Sequence, residues 1–156
     1  MSRNFYSEIH LHITWHTKLS QPLLTPAIEP VAHHAIRQKI INWPGAFVHE
    51  INGTATHVHV VATIVPTIAI SEFIGQLKGV SSPEVNQKYG RGRKLLEWQT
   101  GYGVVSFGTK DLEWVLEYVR NQKERHAQGK VIDRLERIAD ADDGSSRDTE
   151  KPPEGG

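Results

Sequence analysis

The sequence predicts an α+β, ferredoxin-like (RRM-like) fold: an antiparallel sheet with helices over one face and one further helix at its C-terminal side. Three observations carry this. The elements run β-α-β-β-α-β and then a helix. Two of the strands alternate apolar positions with histidine-bearing ones, the period-2 signature of a half-buried strand. The length, 156 residues with 38% hydrophobic and 23% charged content, suits one domain with a real core.

The first strand covers residues 7–16, with Ile9, Leu11, Ile13 and Trp15 on one face and Glu8, His10, His12, Thr14 and His16 on the other. Thr25-Pro26 opens a helix, Thr as cap and Pro at the first helical position. Ile28, Val31, Ala32, Ala35, Ile36 and Ile40 form its apolar face, and Asn42-Trp43-Pro44-Gly45 ends it. Residues 46–52 are a second strand, and Asn52-Gly53 predicts a hairpin turn into a third, about 57–64. Its apolar face is Val58, Val60, Ala62 and Ile64; its other face is His57, His59, Val61 and Thr63. A second helix starts near Ser71 with Phe73, Ile74 and Leu77, and residues 86–94 read as a basic loop. A fourth strand spans about 100–107. Thr109 then caps a third helix with Asp111 and Glu113 in its first turn, where the helix dipole favours acids. Residues 131–139 read as a short helix. Residues 1–139 are expected to form a single domain, and 140–156 an acidic, disordered tail. In this topology the first and third strands are neighbours, so the sheet face without helices is expected to carry a histidine cluster.

Composition narrows the chemistry. There is no cysteine, which excludes disulfides, thiolate metal sites and thiol nucleophiles. Any metal must be held by nitrogen and oxygen donors, and nine histidines are available. The formal net charge is zero, but residues 1–130 carry 14 Lys and Arg against 10 Asp and Glu, while residues 131–156 carry 4 against 8. A mildly basic body permits contact with a polyanion. No targeting signal or membrane span is visible, and the expected location is the cytoplasm.

Two motifs bear on function. His57-Val58-His59 sets two imidazoles one pleat apart on one strand face, where both can reach one metal ion; inert surface histidines have the same spacing. His10-Leu11-His12 repeats that spacing on the first strand, and spacing alone does not separate the two pairs. On the third helix Tyr118 and Gln122 lie four apart beside the stripe Leu112, Val115, Leu116 and Val119, with Arg125 and His126 further along the same side. A boundary tyrosine with a polar neighbour is the plainer account of the same pattern.

In order along residues 5–128, these landmarks resemble the single-tyrosine HUH transposases, both the small insertion-sequence type and the REP-associated type. HUH denotes histidine, bulky hydrophobe, histidine, here His57-Val58-His59. The other landmarks are Thr14-Trp15-His16-Thr17-Lys18, Leu77-Lys78-Gly79-Val80-Ser81-Ser82, Trp98-Gln99-Thr100-Gly101-Tyr102-Gly103-Val104 and Tyr118-Val119-Arg120-Asn121-Gln122. Thr56 departs from the family, which usually has Asp before the first histidine.

The resemblance implies cutting and rejoining of single-stranded or hairpin DNA through a 5′-phosphotyrosine on Tyr118, with Mg or Mn held by His57, His59 and Gln122. The cation makes the phosphate more electrophilic, and the covalent ester makes a nucleotide cofactor unnecessary. Tyr6, Tyr89 and Tyr102 are the rival tyrosines. Tyr89 with Lys88, Arg91, Arg93 and Lys94 suits nucleic-acid binding, basic groups holding phosphates while the ring stacks on a base; a merely solvated loop has the same composition. Lys78 and Arg120 are further backbone-contact candidates. The resemblance also implies a homodimer, with glycines around Tyr102 and at Gly108 as a pivot for the tyrosine helix. The alternative reading is a non-catalytic nucleic-acid-binding protein on the same fold.

Overall fold

Four strands form one antiparallel sheet in the order β2-β3-β1-β4, as the ferredoxin-like reading requires. The computed structural model describes residues 4–139, so the acidic tail read over 140–156 lies outside the described residues. The strands are β1 (Ile9–His16), β2 (Ala46–Gly53), β3 (His57–Ile64) and β4 (Gly103–Phe107). The helices are α1 (Ile28–Ile41), α2 (Ile70–Tyr89), α3 (Leu112–Arg120), α4 (Gln122–Gln128) and the single turn α5 (Asp133–Glu136).

The period-2 pattern sorts the two sheet faces. Leu11, Ile13 and Trp15 of β1 and Val58, Val60, Ala62 and Ile64 of β3 meet Ile36 and Ile40 of α1 and Phe73, Ile74 and Leu77 of α2. Burying each such side chain contributes about 1.5–3 kcal/mol, and this layer is the main core. The other face is not bare. Val61 of β3 packs under Val115, Leu116, Tyr118 and Val119 of α3 and Leu135 of α5. The histidine face expected to be uncovered is therefore roofed by the C-terminal helices, whose apolar stripe has no other surface to bury against.

Several boundaries differ from the sequence reading. Asn52 and Gly53 stay in the ladder, opposite His59 and Val58, and the turn is Thr54-Ala55-Thr56. Gly53 serves close approach rather than a turn: a Cβ there would lie 2.2 Å from the His57 carbonyl oxygen. Thr25 does accept from the Ile28 N–H, through Oγ1 at 3.3 Å and its carbonyl at 3.0 Å, so Pro26 sits in the turn that leads into α1. Helix α2 runs on to Tyr89, taking in most of the segment read as a basic loop; the irregular stretch begins at Gly90. Thr109 does not cap a helix with its side chain. Its hydroxyl meets Glu8 and His10 instead. The third helix is broken at Asn121, where φ −101° and ψ 22° depart from helical values, so α3 and α4 are separate.

Candidate metal and nucleophile site

The histidine cluster is a product of strand register. In the β1–β3 ladder His16 faces His57 and Thr14 faces His59. The His16 ring stacks on His57 with centroids 5.0 Å apart. Nδ1 of His57 meets the hydroxyls of Thr54 and Thr56, each at 3.0 Å. With Nδ1 held by these hydroxyls, Nε2 points inward. Thr56, standing where the resemblance leads one to expect Asp, still supplies an oxygen that orients the ring. Nδ1 of His59 is 2.7 Å from Nε2 of His12. Burial pulls the pKa of His59 down to about 4 and of His12 down to about 3, so both rings are neutral at physiological pH.

The two pairs with identical spacing thus separate by position. His12 backs His59, whereas His10 bonds Thr63 and Thr109 at the opposite end of the strand.

Tyr118 lies fully buried on α3, its ring stacked on Trp114 at 5.9 Å and covered by the Arg125 guanidinium at 4.9 Å. The hydroxyl donates to Oε2 of Glu136 and accepts from the Ile132 N–H at 2.9 Å. Burial first and Glu136 second push its pKa up to about 12, so the phenol is firmly protonated here. Gln122 is also fully buried; its Nε2 reaches the Tyr118 carbonyl at 3.4 Å, while its Oε1 has no partner.

Two residues joined to the site escaped the sequence reading. Nε2 of His126 lies 3.1 Å from Nε2 of His57. Oε1 of Glu136 lies 3.2 Å from His59, 3.2 Å from His126 and 3.4 Å from His57. One donor atom from each of these four residues sits within 4.8 Å of all the others. Burial pushes the Glu136 carboxyl up, but the facing His57 and His59 rings and the Tyr118 hydroxyl outweigh it and hold it well below the usual carboxylate range. His126 had a trace in the sequence, four residues past Gln122 on the same helical side. Glu136 had none in its own neighbourhood. Its seat depends on Gly101 and Gly103, where a Cβ would fall 2.3 Å from the Ala139 carbonyl oxygen and 1.9 Å from that of Arg137. Those glycines let residues 137–139 lie flat on the chain, a different use from the pivot expected of them; Ala139 N–H bonds the Tyr102 carbonyl at 3.3 Å.

The donor chemistry fits a divalent cation. Inward-facing imidazoles, an ionised carboxylate and an orphaned buried amide oxygen are nitrogen and oxygen ligands of the kind that hold Mn or Zn, and less readily Mg.

The other tyrosines lie elsewhere. Tyr6 is 84% exposed, and Tyr102 packs on the α1–α2 side of the sheet. Lys88 and Tyr89 form the last turn of α2, the ammonium 5.7 Å from the ring centre. Arg91, Arg93 and Lys94 follow on the exposed loop. Lys78 holds the carbonyls of Gln99 and Gly101 at 2.8 and 2.9 Å, and Arg120 pairs with Glu50 at 3.1 Å. Lys18, Lys78 and Lys94 share a groove of about 900 Å³ beside α2. Residues 97–99 tie this groove to the site: Lys18 N–H bonds the Glu97 carbonyl and Gln99 N–H bonds the carbonyl of His16.

Comparison with known proteins follows the same lines. The family model described as IS200-like transposase matches residues 5–122. The transposases for insertion sequence element IS200 of Salmonella typhimurium and Salmonella typhi are each 29% identical over 104 residues, 63% of this chain. The match spans 66% of the length of those curated relatives. The crystal structure of a candidate transposase of Deinococcus radiodurans superposes with TM-score 0.61 at 19% identity, covering 78% of this chain and 96% of the other. A REP-associated tyrosine transposase bound to a REP hairpin superposes with TM-score 0.55 at 18% identity, covering 84% and 75%. These two likenesses are of fold.

Proposed function

This chain belongs to the IS200-like transposase family, and from that premise we propose that it cuts and rejoins single-stranded DNA through a covalent bond to Tyr118. The supporting observation is that Glu136 bridges the Tyr118 hydroxyl and the His57–His59 pair: it takes the hydroxyl on one oxygen and faces His59 and His57 with the other, and the Tyr118 and His59 rings lie 6.3 Å apart. His57 and His59 hold a divalent cation, Mn or Mg, and the unpartnered Gln122 Oε1 is a third available donor. The ion supplies charge neutralisation at the target phosphate.

The chain's own groups do the rest. Thr54, Thr56 and His12 fix the two ligand rings. Trp114 and Arg125 hold the Tyr118 ring, so the hydroxyl approaches from a set direction. The Tyr118 oxygen bonds phosphorus as the bond to the 3′ oxygen breaks. The phenol gives up one proton and the departing 3′ hydroxyl takes one, and reversal of the same exchange rejoins the strand. Lys88, Tyr89, Arg91, Arg93 and Lys94, with Lys78 and Arg120, are the proposed nucleic-acid contacts, and a DNA hairpin is the proposed partner. Residues 1–139 act as one domain. Tyr118 shares a site with the histidines of its own chain, which supports action in cis; the homodimer expected from the resemblance is read by sedimentation. Among the described residues no helix is long and apolar enough to cross a membrane.

A second reading, binding without cleavage, is favoured by the hold that Glu136 and Ile132 have on the Tyr118 hydroxyl. One experiment separates them. A labelled hairpin oligonucleotide with Mn²⁺ gives wild-type protein a DNA adduct that survives boiling in detergent, and Tyr118→Phe gives none. Binding by wild type with no adduct would leave the non-catalytic reading standing.

A further inference from the structure

The site holds more donors than the proposed mechanism uses. Nδ1 of His57 is engaged by two hydroxyls and Nδ1 of His59 by His12, so their Nε2 atoms point inward. Both face one oxygen of Glu136, as does Nε2 of His126. Those contacts measure 3.2–3.4 Å, longer than the ~2.7–2.9 Å of a charge-assisted hydrogen bond. They are close to the spacing between neighbouring ligands of a tetrahedral metal, about 3.3–3.4 Å when each bond is about 2.0–2.1 Å, while the full set of four donor atoms is more open, lying within 4.8 Å of one another. The 3.1 Å between the His57 and His126 nitrogens is close to the same edge.

We propose that His126 and Glu136 are metal ligands together with His57 and His59, closing a three-histidine, one-carboxylate centre, and that Glu136 is the ligand a DNA phosphate displaces. This rests on the reading that the metal belongs to the His57–His59 pair. Displacement follows from what the carboxylate touches. Oε1 faces the imidazoles and Oε2 takes the Tyr118 hydroxyl, so Glu136 fills the space between metal ligands and nucleophile that a scissile phosphate must enter. Its seat is built: Leu135 is buried under α3, and Gly101 and Gly103 admit residues 137–139 against the chain. The two added ligands also lie beyond the family match, which ends at residue 122. Three imidazoles and a carboxylate favour Zn²⁺ over Mn²⁺, and both over Mg²⁺.

The test is calorimetric titration of the full chain with MnCl₂ and ZnCl₂, comparing wild type with Glu136→Gln, Glu136→Ala, His126→Ala and His59→Ala. Circular dichroism confirms folding of each. One ion binds wild type; loss of Glu136 or His126 weakens it about tenfold or more, and His59→Ala abolishes it. If Glu136 and His126 variants bind as tightly as wild type while His59→Ala does not, the added ligands are refuted and the His57–His59 site stands. If His59→Ala also binds normally, the underlying reading fails. With saturating Mn²⁺ and the hairpin oligonucleotide, Glu136→Ala forms the tyrosine adduct faster than wild type. A slower adduct would mean that the carboxylate is needed in the reaction, which overturns displacement.

Discussion

Replacing Tyr118 by Phe removes one oxygen from a fully buried ring, and the cost follows from what that oxygen holds. The hydroxyl donates to the Glu136 carboxylate and accepts from the Ile132 N–H. A hydrogen bond to a charged group contributes about 1.5–3 kcal/mol and a neutral one about 1 kcal/mol. The Glu136 side chain is 15% exposed, so water recovers part of the first loss. The N–H of Ile132 has no such recourse without local opening. The expected net cost is ~2–3 kcal/mol, a fall in melting temperature of roughly 6–10 °C for a domain of this size. Differential scanning calorimetry at neutral pH reads it directly. Tyr6→Phe, at an 84% exposed ring, sets the zero. A Tyr118→Phe protein that melts within about 1 °C of wild type would show that the hydroxyl is not tied to Glu136 and Ile132 in solution. That would remove the geometric basis for Glu136 as part of the site.

Three further outcomes are expected. His33 is half-buried, its Nε2 without a hydrogen bond and 4.0 Å from the Glu29 carboxylate, and burial first, then Lys123 and Arg37, bring its pKa down to about 4. The unfolded chain titrates near 6.5, so it holds more protons between pH 6.5 and 4 and stability falls as pH drops; urea unfolding at pH 7.5 and 5.5 should differ by ~1.3 kcal/mol from this group, a slice that His33→Gln abolishes and that an unchanged pH dependence would disprove. Arg91→Ala, Arg93→Ala and Lys94→Ala together should flatten the slope of log affinity against log salt for single-stranded DNA by ~2 in fluorescence anisotropy; an unchanged slope marks the loop as plain solvated surface. Gly103→Ala sets a methyl against the Arg137 carbonyl while β4 stays paired through Thr14, so limited trypsinolysis at Arg134 and Arg137 should speed up with the melting of the body preserved, and equal cleavage would contradict the packing described.

The sheet and its two faces were legible because period-2 alternation is written locally: Val58, Val60, Ala62 and Ile64 against His57, His59 and Val61. The pairing of β1 with β3 followed from topology, and with it the meeting of His12 and His59. Tyr118 and Gln122 stood out through helical spacing. Glu136 did not, since its place is set by contacts 77 and 18 residues away in sequence, to His59 and Tyr118. Gly101 and Gly103 carried the only imprint of that docking, and glycine beside an aromatic reads equally well as a hinge. The end of α2 was misplaced because Asn86-Gln87-Lys88 has loop-like composition; the Asn86 side chain instead bonds both backbone groups of Leu96, fixing the loop from the helix.

The strand order also governs when the site comes into being. The β2–β3 hairpin closes over a three-residue turn, so His57 and His59 take their positions by local pairing, the fastest kind of step in a folding chain. β1, the first strand in sequence order, lies at the sheet's interior and pairs with β3 on one side and β4 on the other, with His10 opposite Phe107 across most of the chain. Such distant closures are slow. Tyr118 comes after β4 in sequence and rests on the face that β1 and β3 complete. The sheet thus brings Tyr118 onto the histidine face only through pairings between distant parts of the chain.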